Sequence, residues 1–245
     1  MYGYGYRYNS GLVIGAGGGA PFANTYSTLY DGMDDYIELG SLSHLQNATE
    51  YSISSWLKSP LTSTSQAIYS WFDGADGYLQ LLLVDDGSFY VYNYRTSNAY
   101  GLSATGLVSA DTWYNATVIF DGSGVTNSDR LKLYINGVLV SLTFTGTQPT
   151  QTGTMLSSTM KLGSNSGAAW FVEGNIDEVS IFDSAISIGD VWDGSGLPTD
   201  LNLLSTPPIN YYRFETGMGT TAIDSGSGGN DGTLINGVTY QTDVP

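Results

Sequence analysis

The 245-residue chain has no cysteine, which excludes disulfides and thiolate chemistry. It has a single histidine, His44, so the imidazole and thiolate donors that zinc prefers are missing. Lys and Arg together number seven against 23 acidic residues, a net charge of −16. That balance argues against nucleic acid, whose phosphates need clustered cations, and against an anionic membrane surface. Charged residues make up only 12% of the chain, where about 25% is usual. No apolar run approaches the roughly 18 residues of a membrane span. The N-terminal "MYGYGYRYNSGLVIGAGGGAP" has no cationic stretch followed by a long apolar one, so no export signal is expected.

What the chain does have is glycine (32), tyrosine (19) and 41% hydrophobic residues, enough for a sizeable core. Turn formers and aromatics in place of long charged side chains point to strands joined by tight turns. "YIEL" (36–39) and "YSISSWL" (51–57) alternate as half-buried strands do. "AIYSWF" (67–72), "YLQLLLV" (78–84) and "FYVYNY" (89–94) follow, the last placing Tyr90, Tyr92 and Tyr94 on one face. "WYNATVIF" (113–120) sets Tyr114, Ala116, Val118 and Phe120 on one side. "LKLYINGVLV" (131–140) reads as a hairpin, because Asn136-Gly137 suits a type I′ turn. "MKLG" (160–163) and "NIDEVSIF" (175–182) complete a series spaced as in an all-β sandwich.

Three segments stand apart. Residues 1–25 form a Tyr/Gly-rich arm whose Tyr2, Tyr4, Tyr6 and Tyr8 alternate and whose Leu12 and Ile14 lie in a candidate added strand. Ordering such an arm costs about 1–2 kcal/mol per residue, so it is expected to bind copies of itself or other chains by strand addition. "DSAISIGDVWDGSG" predicts one short helix, capped by Asp183 or Ser184, with Ile186, Ile188 and Val191 on its apolar side and a stop at Gly194 or Gly196. Residues 197–208 read as a connector to a C-terminal segment, 209–245, in which a second "INGV" (235–238) repeats the turn motif.

"LYDGMDDYIELG" (29–40), "YSISSWLK" (51–58), "DTWYNATVIFDGSG" (111–124), "LKLYINGVLV" and "GNIDEVSIFDSAIS" (174–187) together resemble laminin-G-like, concanavalin-A-like domains over residues 26–196. The resemblance implies a jelly-roll sandwich of two antiparallel sheets. The 209–245 segment is similar to the stretch that opens such domains, so it either completes the sandwich in permuted order or docks on a neighbour. Its ending, with the final "TDVP", resembles proteins of marine phages.

The resemblance also implies where to look for sites. Calcium, which takes six to eight oxygens, is expected at the turn that offers Asp31, Asp34 and Asp35, with Asp31 and Asp34 joined by Asp177 of the "IDEV" strand. A carbohydrate site is expected on aromatics: Trp71, Tyr90, Tyr92 and Tyr94, with Trp113 and Trp170 as further candidates. Glycosidases need two carboxylates flanking the scissile bond. Glu173, Asp177 and Glu178 are badly spaced for this, since alternate strand positions share a face and these do not alternate. No enzyme is therefore expected, and His44 reads as a surface loop residue. Asn47 and Asn115 head glycosylation motifs that carry little meaning without export. A β-rich chain without an export signal can reach the outside by assembly into a virus particle, so the expectation is a phage structural subunit located on the virion. The alternative is an adhesin that binds cell-surface glycans.

Overall fold

The computed structural model describes residues 22–62, 64–74, 77–154, 159–165 and 169–245. Residues 2–14, on which the arm was read, lie outside the described residues. The first strands are β1 (Ser27–Asp31), β2 (Tyr36–Gly40), β3 (Glu50–Lys58), β4 (Gln66–Phe72), β5 (Tyr78–Leu83) and β6 (Phe89–Tyr94). Then follow β7 (Tyr100–Leu102), β8 (Tyr114–Asp121), β9 (Leu131–Ile135), β10 (Val138–Val140), β11 (Thr143–Thr145) and β12 (Met160–Leu162). The last are β13 (Glu173–Phe182), β14 (Asn210–Tyr212), β15 (Thr221–Ala222), β16 (Gly232–Ile235) and β17 (Thr239–Gln241). They form two antiparallel sheets. The first runs β10-β9-β8-β3-β13-β1-β17, with β14 also pairing β13; the second runs β11-β7-β6-β5-β4-β12-β2-β16-β15.

The core lies between the sheets. On β8, Ala116, Val118 and Phe120 point into it, and on β6 Phe89 and Val91 do the same. Trp71 and Tyr69 of β4 and Tyr51 of β3 fill its middle, each at most 1% exposed. The outer face of the first sheet is also covered. Phe182, Val191, Leu201 and Tyr211 make a second small cluster there, with Ile186, Ile188 and Leu204 packed against it. Trp192 closes the cover, its ring 5.6 Å from that of Trp56. The chain after β13 thus folds over this sheet and seals polar strand residues beneath it. Asn115 is one of them, buried and donating to Ser54 Oγ at 3.0 Å.

The helix in this cover differs from the one expected. It is α2 (Ile188–Val191), and Asp190 accepts from the Ser187 backbone N–H at 3.0 Å, so Ser187 rather than Asp183 or Ser184 starts it. The Ser184 carbonyl is occupied by the Ser52 hydroxyl at 2.8 Å. The helix ends at Val191, before either glycine. A helix not foreseen, α1 (Asn127–Arg130), is opened by the Thr126–Asp129 capping box.

The two Ile-Asn-Gly-Val copies serve different ends. Asn136 and Gly137 both have positive φ and close the β9–β10 hairpin. A Cβ at Gly137 would also strike Trp192, so only glycine fits there. The second copy is no hairpin. It carries the chain from β16, paired to β2 in the second sheet, to β17, paired to β1 in the first. The β1–β2 connection makes the same crossing beside it. The buried Asp35 carboxylate ties the two crossings, accepting from the Gly237 N–H at 2.6 Å and from the Asp31 N–H at 3.0 Å. Asn236 adds a bond to the Asp34 carbonyl at 2.7 Å. Residues 209–245 therefore pack within the same sandwich, beside the first two strands.

Replacing Asp35 by Ala strands two backbone N–H groups at this crossing. Bonds to a charged acceptor contribute about 1.5–3 kcal/mol each, so the variant should lose about 2–4 kcal/mol in urea unfolding. A loss below about 0.5 kcal/mol would mean that the crossings hold without it.

Candidate functional site

The outer face of the second sheet is built differently from its covered counterpart. Alternation on β6 sends Phe89, Val91 and Asn93 inward and leaves Tyr90, Tyr92 and Tyr94 half-buried on the outside. Register then adds neighbours that sequence spacing alone does not reveal. Tyr78 of β5 stands opposite Tyr94, and Tyr100 of β7 stands opposite Tyr92. The rings form one continuous array. Tyr92 lies at its centre, 5.4 Å from Tyr78, 5.3 Å from Tyr100 and 5.8 Å from Tyr90, nearly parallel to the last. Tyr94 joins at Tyr78, 5.4 Å away. Phe72, 38% exposed, meets Tyr78 edge-on at 5.3 Å. Partial burial raises the Tyr92 and Tyr94 hydroxyl pKa values, helped at Tyr92 by neighbouring phenols, so these groups stay protonated donors. Across three strand spacings the array spans about 14 Å.

Trp71 is not part of this face. It is fully buried, because β4 turns it toward the core while Phe72 faces out, so it cannot meet a ligand. Trp113 is also elsewhere: its indole N–H donates to Asp243 at 3.0 Å. Trp170, 43% exposed, lies between β12 and β13. His44 is no exposed loop residue either. It sits in a single 3₁₀ turn, Ser43–Leu45, with Nε2 buried and burial lowering its pKa.

The acidic residues sort into two places. Carboxylates of Asp31, Asp34 and Asp35 come within 4.8 Å of one another. Asp177 does not join them: Asp31 pairs with Glu173, and Asp177 lies four residues farther along β13, roughly 13 Å away. Asp35, needed at the crossing, takes its place in the cluster. Beside it a cleft of about 470 Å³ opens, lined by Asp31, Asp35, Asp111, Glu173, Asp243 and Lys58, with Lys58 paired to Asp243 at 2.7 Å. Burial raises the Asp35 pKa, the like charges of Asp31 and Asp34 adding to it against two backbone donors. A divalent cation would relieve that repulsion, and the oxygen-only donors suit calcium.

Asp177 and Glu178 are instead buried on the covered outer side of the first sheet, near Trp56 and Tyr211. A β-bulge between Asp177 and Ser180 gives Glu178 a positive φ and sets both acids beneath the surface. Glu178 accepts from the Tyr211 hydroxyl and from Arg213 Nε, the latter at 3.3 Å. Arg213 in turn donates to the Ala23 carbonyl at 2.6 Å and lies 4.3 Å over the Phe22 ring. Burial pushes the Glu178 pKa up to about 7 against the pull of Tyr211 and Arg213. Burial, with the Glu178 charge beside it, also holds Asp177 well above the usual carboxylate range.

A family model described as the concanavalin A-like lectin/glucanases superfamily, of laminin G type, matches residues 31–191. The chain belongs to this superfamily. No curated protein matches the sequence. Among solved structures, a candidate carbohydrate binding protein from Bacteroides ovatus superposes with a TM-score of 0.62 at 14% identity, over 91% of this chain and 61% of that one. This chain therefore spans under two thirds of its length. The sialidase module CBM40 from Ruminococcus gnavus, bound to α2,3 sialyllactose, gives 0.51 at 13% identity, over 66% and 94% of the two chains. The NanB sialidase from Streptococcus pneumoniae gives 0.53 at 16%, over 76% and 28%. These likenesses establish the fold. Sequence reading reached Tyr90, Tyr92 and Tyr94 by alternation but missed Phe72, Tyr78 and Tyr100, whose only signal was membership of neighbouring strands.

The buried Glu178 sets a pH dependence. Its folded pKa exceeds its ordinary value of 4.5, so between those values the folded state holds the extra proton and stability falls as pH rises. A shift from 4.5 to about 7 corresponds to about 3 kcal/mol lost between pH 4.5 and pH 8. Urea unfolding at pH 5 and pH 8 should show this loss, and Glu178→Gln should reduce it. Equal pH dependence in both proteins would count against a buried, raised Glu178.

Proposed function

We infer that this chain is a non-catalytic glycan-binding module whose ligand lies on the tyrosine face of the second sheet, as an adhesin for surface glycans would use it. The observation that carries this reading is the position of Tyr92, outward-facing and ringed by three other tyrosines within 5.8 Å. A sugar presents flat C–H faces and a rim of hydroxyls. Half-buried tyrosines answer both, with rigid apolar rings and protonated hydroxyl tips. The likeness to a candidate carbohydrate binding protein and to a module bound to sialyllactose adds support for this fold as a sugar-binding scaffold. Hydrolysis would need two carboxylates across the bond. The outward positions of β5, β6 and β7 supply none, and Asp177 and Glu178 are sealed away. The virus-particle setting expected from the missing export signal and the arm has no support among the described residues or the likenesses above, so it forms no part of this reading.

Truncating the central ring tests the reading. On a glycan array the wild-type protein should give hits that Tyr92→Ala weakens about tenfold, the loss of about 1.4 kcal/mol of stacking. A blank array, with the variant as well folded as the wild type by circular dichroism, would overturn it.

We also propose calcium at Asp31, Asp34 and Asp35, on the strength of their converging carboxylates. An ion bound only to the folded state stabilises it by mass action. Chelator should then lower the melting temperature, and Asp34→Asn should abolish that response. A melting curve unchanged by chelator would remove the proposal.

A further inference from the structure

We propose that the tyrosine face selects neutral glycan chains and rejects anionic ones, with Gln80 as the polar group that reads the sugar. The proposal rests on the glycan-binding reading and names its ligand class. The first argument is the chemistry of the face. Facing outward across β5, β6, β7 and β11 are Tyr78, Gln80, Tyr90, Tyr92, Tyr94, Tyr100 and, by register, Leu82, Leu102, Thr143 and Thr145. None carries a charge. Sialic, uronic and sulfated sugars bind best where a cation offsets the desolvation of their anionic group, and the outward positions of β5, β6, β7 and β11 offer none.

The nearest cations are turned elsewhere. Arg95 follows Tyr94 but sends its guanidinium to the Asn47 side chain at 3.5 Å. Lys161 of β12 faces outward in the row of Gln80 and Tyr92, two strand spacings or roughly 10 Å from Gln80 and three, about 14 Å, from Tyr92. It stands directly across from Glu38, and its ammonium lies 4.4 Å over the Tyr36 ring. The rim is acidic instead: Asp85 and Asp86 are exposed in the turn joining β5 to β6. With a net charge of −16, the field around the face repels anions before contact.

The second argument is Gln80. It is completely buried in the middle of β5, opposite Tyr92, and both its amide nitrogen and its amide oxygen lack a hydrogen-bond partner. An unpaired buried amide costs about 1–3 kcal/mol; Asn24, Asn93 and Gln148 share the condition among the described residues, and Gln80 is the one on the outer face of β5 beside the tyrosines. An apolar residue at this position would pack as well without that cost. A neutral donor–acceptor pair in cross-strand register with the central tyrosine matches a sugar hydroxyl, which both donates and accepts. Contact with a ligand requires the outer tyrosine rings to turn about χ1 and uncover the amide.

Matched probes test this. Calorimetry with lactose against α2,3 sialyllactose, and with cellohexaose against an oligogalacturonate, separates neutral from anionic chains. The neutral member of at least one pair should bind about tenfold or more tightly than its anionic partner, and its affinity should stay flat between low and high salt. Gln80→Leu should melt at or above the wild-type temperature while losing about tenfold in affinity for that neutral probe. A preference for the anionic member, or affinity that falls steeply with salt, would overturn the neutral class and leave glycan binding standing. Unchanged affinity in Gln80→Leu, or a lowered melting temperature, would make Gln80 structural. Absence of binding to every probe, together with a blank array, would overturn both this proposal and the reading beneath it.

Discussion

Two crossings of the chain between sheets meet at one carboxylate. Asp35 binds the backbone of its own turn and that of Gly237, some two hundred residues later. A buried carboxylate is costly unless its oxygens are used, and here both are. The bond lies where β16, paired to β2 in one sheet, leads into β17, paired to β1 in the other, so it ties the last segment of the chain at the point where it passes between the sheets. The same constraint explains why Asp35 completes the acidic cluster. The turn brings Asp31 and Asp34 to a residue that the crossing already requires.

The two sheets share a core but differ on their outer faces. Phe182 and Tyr211 present apolar surface on the outside of the first sheet, and the chain from 183 to 208 folds back to bury it, with Trp192 closing on Trp56. The second sheet carries tyrosines where the first carries serines, threonines and asparagine. A tyrosine ring half-buried among its neighbours keeps its hydroxyl wet, so this face requires no cover. One sheet is thereby sealed and the other presents an aromatic surface.

The buried acids follow a different logic. The bulge in β13 places Glu178 against Tyr211 and Arg213, and Arg213 holds residues 22 and 23 against the sandwich. That chain of contacts joins the start of the described residues to the C-terminal segment. It lies beneath the surface, where Glu178 is tied to both segments through Tyr211 and Arg213.

Alternation along β6 and β8, and the Asn136-Gly137 hairpin, were legible in the sequence because they depend on local backbone geometry: a period of two and a pair of positive φ angles. These local rules placed Tyr90, Tyr92 and Tyr94 together on one face. They were silent on what the same letters do in another setting. The second Ile-Asn-Gly-Val became a crossing because its flanking strands found partners in different sheets. Trp71 went to the core because β4 faces that way, and Asp177 was separated from Asp31 because β1 pairs β13 in a register that puts Glu173 opposite Asp31. Tyr78 and Tyr100 entered the tyrosine face through pairing across strands. The sequence by itself determined the longer strands and their alternation. Only the tertiary structure decided which strands are neighbours and which face stays open, because those depend on contacts between residues far apart in the chain, which no local pattern encodes.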